Sequence, residues 1–304
     1  MKHFHPKKYW RLTKEWLHDF FWYYLIPDRW EIKYHFKKLV GYAPNLRNPQ
    51  SFNEKIQWLK LNDRNKRYAD LIDKFKVKDI VKNILGEEYV IPTLFGPYKD
   101  ATDIPWNELP NQFVLKCNHD AASVIVCKDK SSLDIANAIS KLNSCLKKNY
   151  YNNLGKQWGY KHVEPCVFVE QYMQDNQSDD LMDYKFMFFN KECKCLFTCL
   201  ERKSKTGLKV NFYTTDWKRM PFIRKYPSTK YIEHKPCMLN QMLIIAQKLA
   251  DYVNNSFVRI DLYNINGKIY FGEFTFYPGG GFEAFYPEKW DYILGSWMKL
   301  PIEK

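Results

Sequence analysis

Residues 258–282, VRIDLYNINGKIYFGEFTFYPGGGF, limit what this chain can fold into more than any other stretch. Two runs of β-branched and aromatic residues, Val258–Tyr263 and Lys268–Tyr277, flank Asn264-Ile265-Asn266-Gly267, which predicts an antiparallel hairpin. Alternation places Arg259 and Asp261 on one face of the first strand, and Glu273 and Thr275 on one face of the second. Such a set suits either a surface hairpin with one wet face and a cross-strand Arg–Glu pair, or a site for a metal ion or phosphate. Register bears on the choice. A two-residue turn at Asn266-Gly267 would pair Asp261 with Gly272 and turn Glu273 to the other face, whereas an odd-length loop brings all four side chains together. A shared site therefore predicts an odd-length loop or a bulge.

The 304 residues suffice for one large or two modest domains, and 45% hydrophobic with 17% aromatic residues marks a globular chain. The net charge of +13 calls for acidic partners: nucleotides, acidic sugars, anionic lipid headgroups or nucleic acid. Basic residues and aromatics do not combine into a known nucleic-acid module, so nucleic acid is not expected. Eight cysteines lie scattered, as in a cytoplasmic enzyme with reduced thiols. Cys193, Cys195 and Cys199 fall on one strand face by even spacing, yet no His or fourth Cys lies at a familiar zinc interval. No signal peptide and no run of about 18 apolar residues is visible.

The spacing Arg259-x-Asp261 followed by Glu273-x-Thr275 resembles the metal end of the ATP-grasp fold. The longer run FGEFTFYPGGGFEAFYPEKWDYILG, with Asn48–Lys55 (NPQSFNEK), resembles the TupA-like branch of that superfamily over most of the chain. The resemblance implies an α+β fold in which two α/β subdomains clamp a nucleotide, behind a helical N-terminal extension. The boundaries expected are 1–45 for a basic amphipathic segment, 46–112 for an N-terminal α/β part, 113–172 for the flap subdomain and 173–304 for the C-terminal subdomain. It also implies ATP and Mg2+ as cofactors, Asp261 and Glu273 as metal ligands, Thr275 in place of the usual Asn, and Arg259 against the transferring charge. Thr still offers magnesium a hard oxygen.

Further sites come from residues and resemblance together. Tyr9–Leu25 has helical period, and with residues 7–38 as a whole it either packs on the body or lies on an anionic membrane. Ser51-Phe52-Asn53-Glu54 is a capping box opening a helix to Leu61. Lys74, or Lys78 one turn on, is the basic residue that the family aims at nucleotide phosphates; an exposed helical lysine is the plainer reading. Lys116 ends the apolar strand Phe113–Lys116, and the flap Cys117–Ser123 follows, with His119 and Ser123 as nucleotide contacts. Where relatives carry glycines, Asp120, Ala121 and Ala122 stand here, which leaves weakened turnover open. Glu170 with Gln171 and Tyr172 takes the adenine and ribose edge, and Lys185 shares a strand face with Asp183 toward the phosphates. Arg202, Lys203, Lys205 and Asn211, together with Gly279 and Gly280, are candidates for an acidic acceptor, against the alternative of a solvated loop.

These expectations converge on an ATP- and Mg-dependent carboxylate–amine ligase. It would work through an acyl phosphate, with Lys116, Lys185 and Arg259 catalytic. By resemblance its partners are an acidic saccharide of a bacterial capsule, O-antigen or wall polymer and an amine or amino acid, in the cytoplasm or peripherally at the inner membrane face. The alternatives are a glycosyltransferase of a polysaccharide cluster, although no Asp-x-Asp spacing occurs, and a nucleotide-binding ATP-grasp protein with lost turnover.

Overall fold

In a computed structural model of the chain, the described residues are 26–120, 123–148, 150–153, 155–176, 181–202 and 204–301. The expected helix Tyr9–Leu25 lies outside them, as does the greater part of the 7–38 segment.

Two sheets with separate apolar cores organise the fold. The first is four-stranded, in the order β1-β4-β2-β3, from β1 (Thr93–Tyr98), β2 (Phe113–Cys117), β3 (Ile125–Cys127) and β4 (Val167–Gln171). Its core joins Phe113, Leu115, Val167 and Val169 to Leu142 and Cys145 of helix α5 (Ile135–Leu146). The second is five-stranded and wholly antiparallel, in the order β10-β9-β5-β6-β7, from β5 (Asp183–Phe189), β6 (Glu192–Leu200), β7 (Lys209–Tyr213), β9 (Phe257–Ile265) and β10 (Lys268–Thr275). A two-stranded ribbon, β8 (Ile223–Arg224) with β11 (Phe285–Tyr286), lies beside it.

Helices α1 (Asp28–Val40), α2 (Phe52–Asn62), α3 (Arg67–Ile72) and α4 (Val77–Leu85) precede the first strand, and a short helix α6 (Tyr150–Asn153) lies between α5 and β4 in sequence. Phe52, Ile56 and Leu59 of α2 pack into the core of the five-stranded sheet, with Met242, Ile245 and Leu249 of α7 (Leu239–Val253). The 46–112 region is thus divided: its helices join the C-terminal core, and β1 belongs to the flap sheet, pairing with β4 ahead of the boundary expected at 112. Sequence spacing could not show this, because β1 finds its partner some seventy residues further along the chain.

The capping box forms as expected: Ser51 accepts from the Glu54 amide, and Glu54 reaches back to the Ser51 amide at 3.1 Å. Helix α4 begins at Val77, so Lys74 stands in the turn before it, where Asp73 accepts from the amides of Phe75 and Lys76.

Candidate active site: a nucleotide cleft between the sheets

The hairpin satisfies both of its sequence constraints. Asn266 and Gly267 take φ of 50° and 79° and form a two-residue turn, so Lys268 pairs with Ile265. A bulge at Gly272 then shifts the register, which sets Glu273 opposite Asp261 and Thr275 opposite Arg259. Of the two expected solutions, the bulge is the one present.

On the shared face Arg259 forks onto Asp261, Nε to Oδ1 at 2.6 Å and Nη2 to Oδ2 at 2.8 Å, and Nη2 also reaches Glu273 Oε1 at 2.8 Å. Thr275 Oγ1 donates to Glu273 at 3.1 Å. Lys185 on β5 bridges Asp261 and Asp183, the latter at 2.6 Å, and Arg202 Nη2 pairs with Asp183 at 2.5 Å. Lys74 lies 3.8 Å from Glu273 and donates to the backbone carbonyl of Asp120. Burial would raise the Glu273 pKa, but Lys74, Arg259 and Lys185 hold it down at about 2. Lys185 shows the converse: burial lowers its pKa, and Asp261 and Asp183 carry it above the ordinary lysine value.

The opposite wall is the four-stranded sheet. Buried Glu170 on β4 receives Lys78 at 2.6 Å on one oxygen and Lys116 on the other. Lys78 also donates to the Ile91 carbonyl and Thr93 Oγ1. Lys116 and Lys78 keep the Glu170 carboxyl below its ordinary range although burial opposes them. Between the walls lies a cleft of about 700 Å³, lined by Lys116, Glu170, Gln171 and Tyr172 on one side, by Asp183, Lys185, Arg202, Asp261 and Glu273 on the other, and by Lys74 and Lys78 from the turn and start of helix α4. Apolar side chains, Val114, Val126, Met173 and Phe271 among them, line the rest. The pattern of a flat apolar slot next to converging cations suits a base followed by its phosphates.

Several expected contacts lie elsewhere. His119 and Ser123 are buried within the flap and do not line the cleft. Ser123 bonds Asp120 and accepts from the Cys117 amide, and the His119 ring packs edge-on against Tyr150. Asp120, in the flap that the family resemblance sets beside the phosphates, turns inward, its Oδ2 accepting from Tyr150 at 2.9 Å, so its charge does not oppose them. Asn211 is buried in a different network, bonding Thr229 at 2.8 Å, Glu233 at 3.0 Å and Arg219 at 3.0 Å. Lys205 is exposed outside the cleft, and Lys203 lies outside the described residues. Gly279 and Gly280, at φ 58° and 63°, form a tight turn beyond Thr275, also outside the cleft.

Cys193 and Cys195 do not share a face, because a bulge pairs Cys193 with Phe188 and Cys195 with Met187. Asp183 was visible as a face-mate of Lys185 but not as a site residue; its signal was that shared face. Lys128 and Tyr263 also line the cleft, and no motif marked them.

Among the described residues no cluster of three or more His, Cys, Asp or Glu gathers as a complete metal cage. Magnesium does not need one, since it is held by one or two carboxylates together with waters and substrate phosphates. Asp261 and Glu273 line the cleft and supply hard oxygens, with Glu273 about one-third exposed, at 34%, while Thr275 lies outside the lining and bonds Glu273. The donor set fits.

Two sheets around a cationic cleft, with the Arg-x-Asp and Glu-x-Thr strands paired on one face, define an ATP-grasp protein. The family model described as TupA-like ATPgrasp matches residues 54–299, and the chain belongs to that family. Among solved structures it is similar to D-alanine–D-alanine ligase from Bacillus anthracis complexed with ATP, 14% identical over 68% of this chain and 53% of that one, TM-score 0.37. It is similar also to D-alanyl-alanine synthetase A from Vibrio cholerae, 13% identical over 69% of this chain and 56% of that one, TM-score 0.41. A third is N5-carboxyaminoimidazole synthetase from Staphylococcus aureus, 11% identical over 67% of this chain and 44% of that one, TM-score 0.37. The chain spans about half the length of these structures. No curated protein matches it.

Proposed function

We propose that the chain is an ATP- and Mg-dependent carboxylate–amine ligase that joins an amine or amino acid to an acidic sugar of a bacterial surface polysaccharide. The observation that carries the reading is that Asp261 and Glu273, paired across strands on the face they share with Arg259 and Thr275, line one cleft together with Lys185, Lys116 and Lys78. In this reading a carboxylate oxygen of the acceptor attacks the γ-phosphorus. The bond from that phosphorus to the β–γ bridging oxygen breaks, and ADP leaves with the electron pair. The amine lone pair then attacks the acyl carbon, phosphate departs with the C–O electrons, and the nitrogen gives up a proton.

The residues bind and stabilise; none becomes covalently attached. Lys116 and Lys78 exchange part of their pairing with Glu170 for phosphate oxygens. Lys185 and Arg259 face the charge that spreads over the transferred phosphoryl group. Held by Asp261 and Glu273, magnesium would neutralise phosphate charge. Inward-turned Asp120 favours a working flap over lost turnover, and family membership favours a ligase over a glycosyltransferase. On α1, exposed Trp30, Tyr34 and Leu39 beside Lys33, Lys37 and Lys38 support peripheral contact with an anionic membrane.

The test is ADP release from Mg-ATP with a panel of uronic acids and amines, plus hydroxylamine to trap an acyl phosphate as hydroxamate. Carboxylate-dependent ADP release with hydroxamate is the expected result. ATP turnover that ignores the carboxylate, without hydroxamate, would sink the proposal.

A further inference from the structure

Arg224 of β8 is a buried guanidinium on the catalytic face that nucleotide binding does not use. The cross-strand row Glu273, Asp261, Lys185, Phe197, Phe212 runs unbroken over five strands. Arg224 lies over its far end, 5.1 Å from the Phe197 ring centre and 5.5 Å from that of Phe212. Arg259 lies 5.7 Å from the same Phe197 ring, so two guanidinium groups flank one aromatic beside the metal carboxylates.

The charge on Arg224 is incompletely answered. Its Nε pairs with Glu283 at 3.1 Å, but Glu283 is shared with Lys225 at 3.4 Å, one carboxylate against two cations. Nη1 finds no hydrogen-bond partner among the described residues, although Arg224 is only 6% exposed. Burial outweighs Glu283 and draws its pKa below the ordinary arginine value, as expected of a cation short of an anion. A purely structural arginine would explain the ring contacts and the Nε bond, but not an unpaired, desolvated nitrogen.

The turn after Thr275 belongs to the same corner. A Cβ on Gly279 would come within 2.3 Å of Glu283 Cδ, so glycine at that left-handed position is what lets Glu283 sit against Arg224.

We infer that Arg224 is the specificity-determining contact for the acceptor, binding the carboxylate that is to be phosphorylated at the end of the row next to Arg259. The assignment rests on the ligase reading above and names the chemistry of its acceptor: a monoanionic carboxylate such as a hexuronate, not a neutral sugar. A planar fork with a free edge suits a carboxylate.

The experiment is calorimetry on the full chain saturated with a non-hydrolysable ATP analogue and magnesium, titrated with glucuronate, galacturonate, glucose and galactose. The expected result is binding of a uronate and of neither hexose, with Arg224→Gln losing at least about tenfold in uronate affinity while keeping its affinity for the analogue. Arg224→Lys recovers part of the loss. Glu283→Gln keeps the guanidinium charge and retains uronate binding, which guards against a fold defect. Uronate binding unchanged in Arg224→Gln, or its loss in Glu283→Gln, would overturn the inference while leaving wild-type analogue and uronate binding, and so the ligase reading, standing; no uronate binding to the wild type would overturn it together with the acidic-sugar acceptor of that reading. No analogue binding to the wild type would bring down both.

Discussion

Asp261 and Glu273 are a matched pair in sequence and unequal in the structure. Asp261 is 2% exposed and carries Arg259 and Lys185 on its two oxygens, whereas Glu273 opens to the cleft. Glu273→Gln should therefore cut Mg-dependent ADP formation by about a hundredfold or more, and lower the urea midpoint at neutral pH by less than a change at buried Asp261 does, since only the ionised carboxylate answers Lys74, Arg259 and Lys185. Asp261→Asn should lose activity as well, and in addition cost about 3–5 kcal/mol, because two buried cations lose their shared anion. Full Mg-dependent turnover in Glu273→Gln would remove it from the metal site. The depressed Glu273 pKa adds a signature with a definite sign. Its stabilisation is complete above the ordinary value of 4.5 and is lost as pH falls toward about 2, so the Gln variant should shed part of the wild-type acid lability in that window. The two carboxylates were legible because alternation and the hairpin signal fixed their face. That Glu170 is held by both Lys78 and Lys116 was not legible, since each lysine lies on a different element and no spacing joins them.

The hairpin shows how far an element can be read. Asn266-Gly267 demanded a two-residue turn and the shared face demanded an extra residue; the bulge at Gly272 satisfies both, and a glycine inside a strand was its mark. Helix α7 buries Leu239, Met242, Ile245, Leu249 and Val253, at helical spacing. Helix α8 (Lys289–Trp297) carries a buried Asp291 that no sequence pattern marked as a junction residue. Asp291 accepts from the Asn53 backbone amide at 2.9 Å and from Asn53 Nδ2 at 3.0 Å, tying α8 to the start of α2. Burial raises its pKa to about 6 against those two bonds. A raised carboxyl pKa gives stability that is full below the ordinary value of 3.8 and is lost as pH climbs through 6. Asp291→Asn should flatten that decline, which for a two-unit shift amounts to about 3 kcal/mol. Urea midpoints measured from pH 4 to pH 8 check this, and a decline equally steep in the Asn variant would refute the assignment.

At the scale of the molecule, the nucleotide cleft belongs to neither core alone. Lys116 and Glu170 stand on the four-stranded side and Lys185, Asp261 and Glu273 on the five-stranded side, Lys78 reaches Glu170 from a helix packed in the second core, and Lys74 touches both Glu273 and the flap carbonyl of Asp120. A ligand held by both walls couples the two cores, so it should raise the unfolding temperature of the whole chain instead of one part. At a hundred times its Kd a non-hydrolysable ATP analogue with magnesium should add about 2.7 kcal/mol, by mass action alone. Lys116→Ala should reduce that gain by weakening the analogue and by leaving Glu170 with one cation in place of two. Because the contacts are cations meeting phosphates, the gain should shrink as ionic strength rises. Scanning calorimetry with the analogue, in magnesium and again in EDTA, separates the parts. Stabilisation that survives EDTA undiminished would mean that Asp261 and Glu273 do not hold a metal for the nucleotide. Stabilisation of one transition, with the other left where it was, would mean that the ligand engages a single wall and that the two sheets do not clamp it.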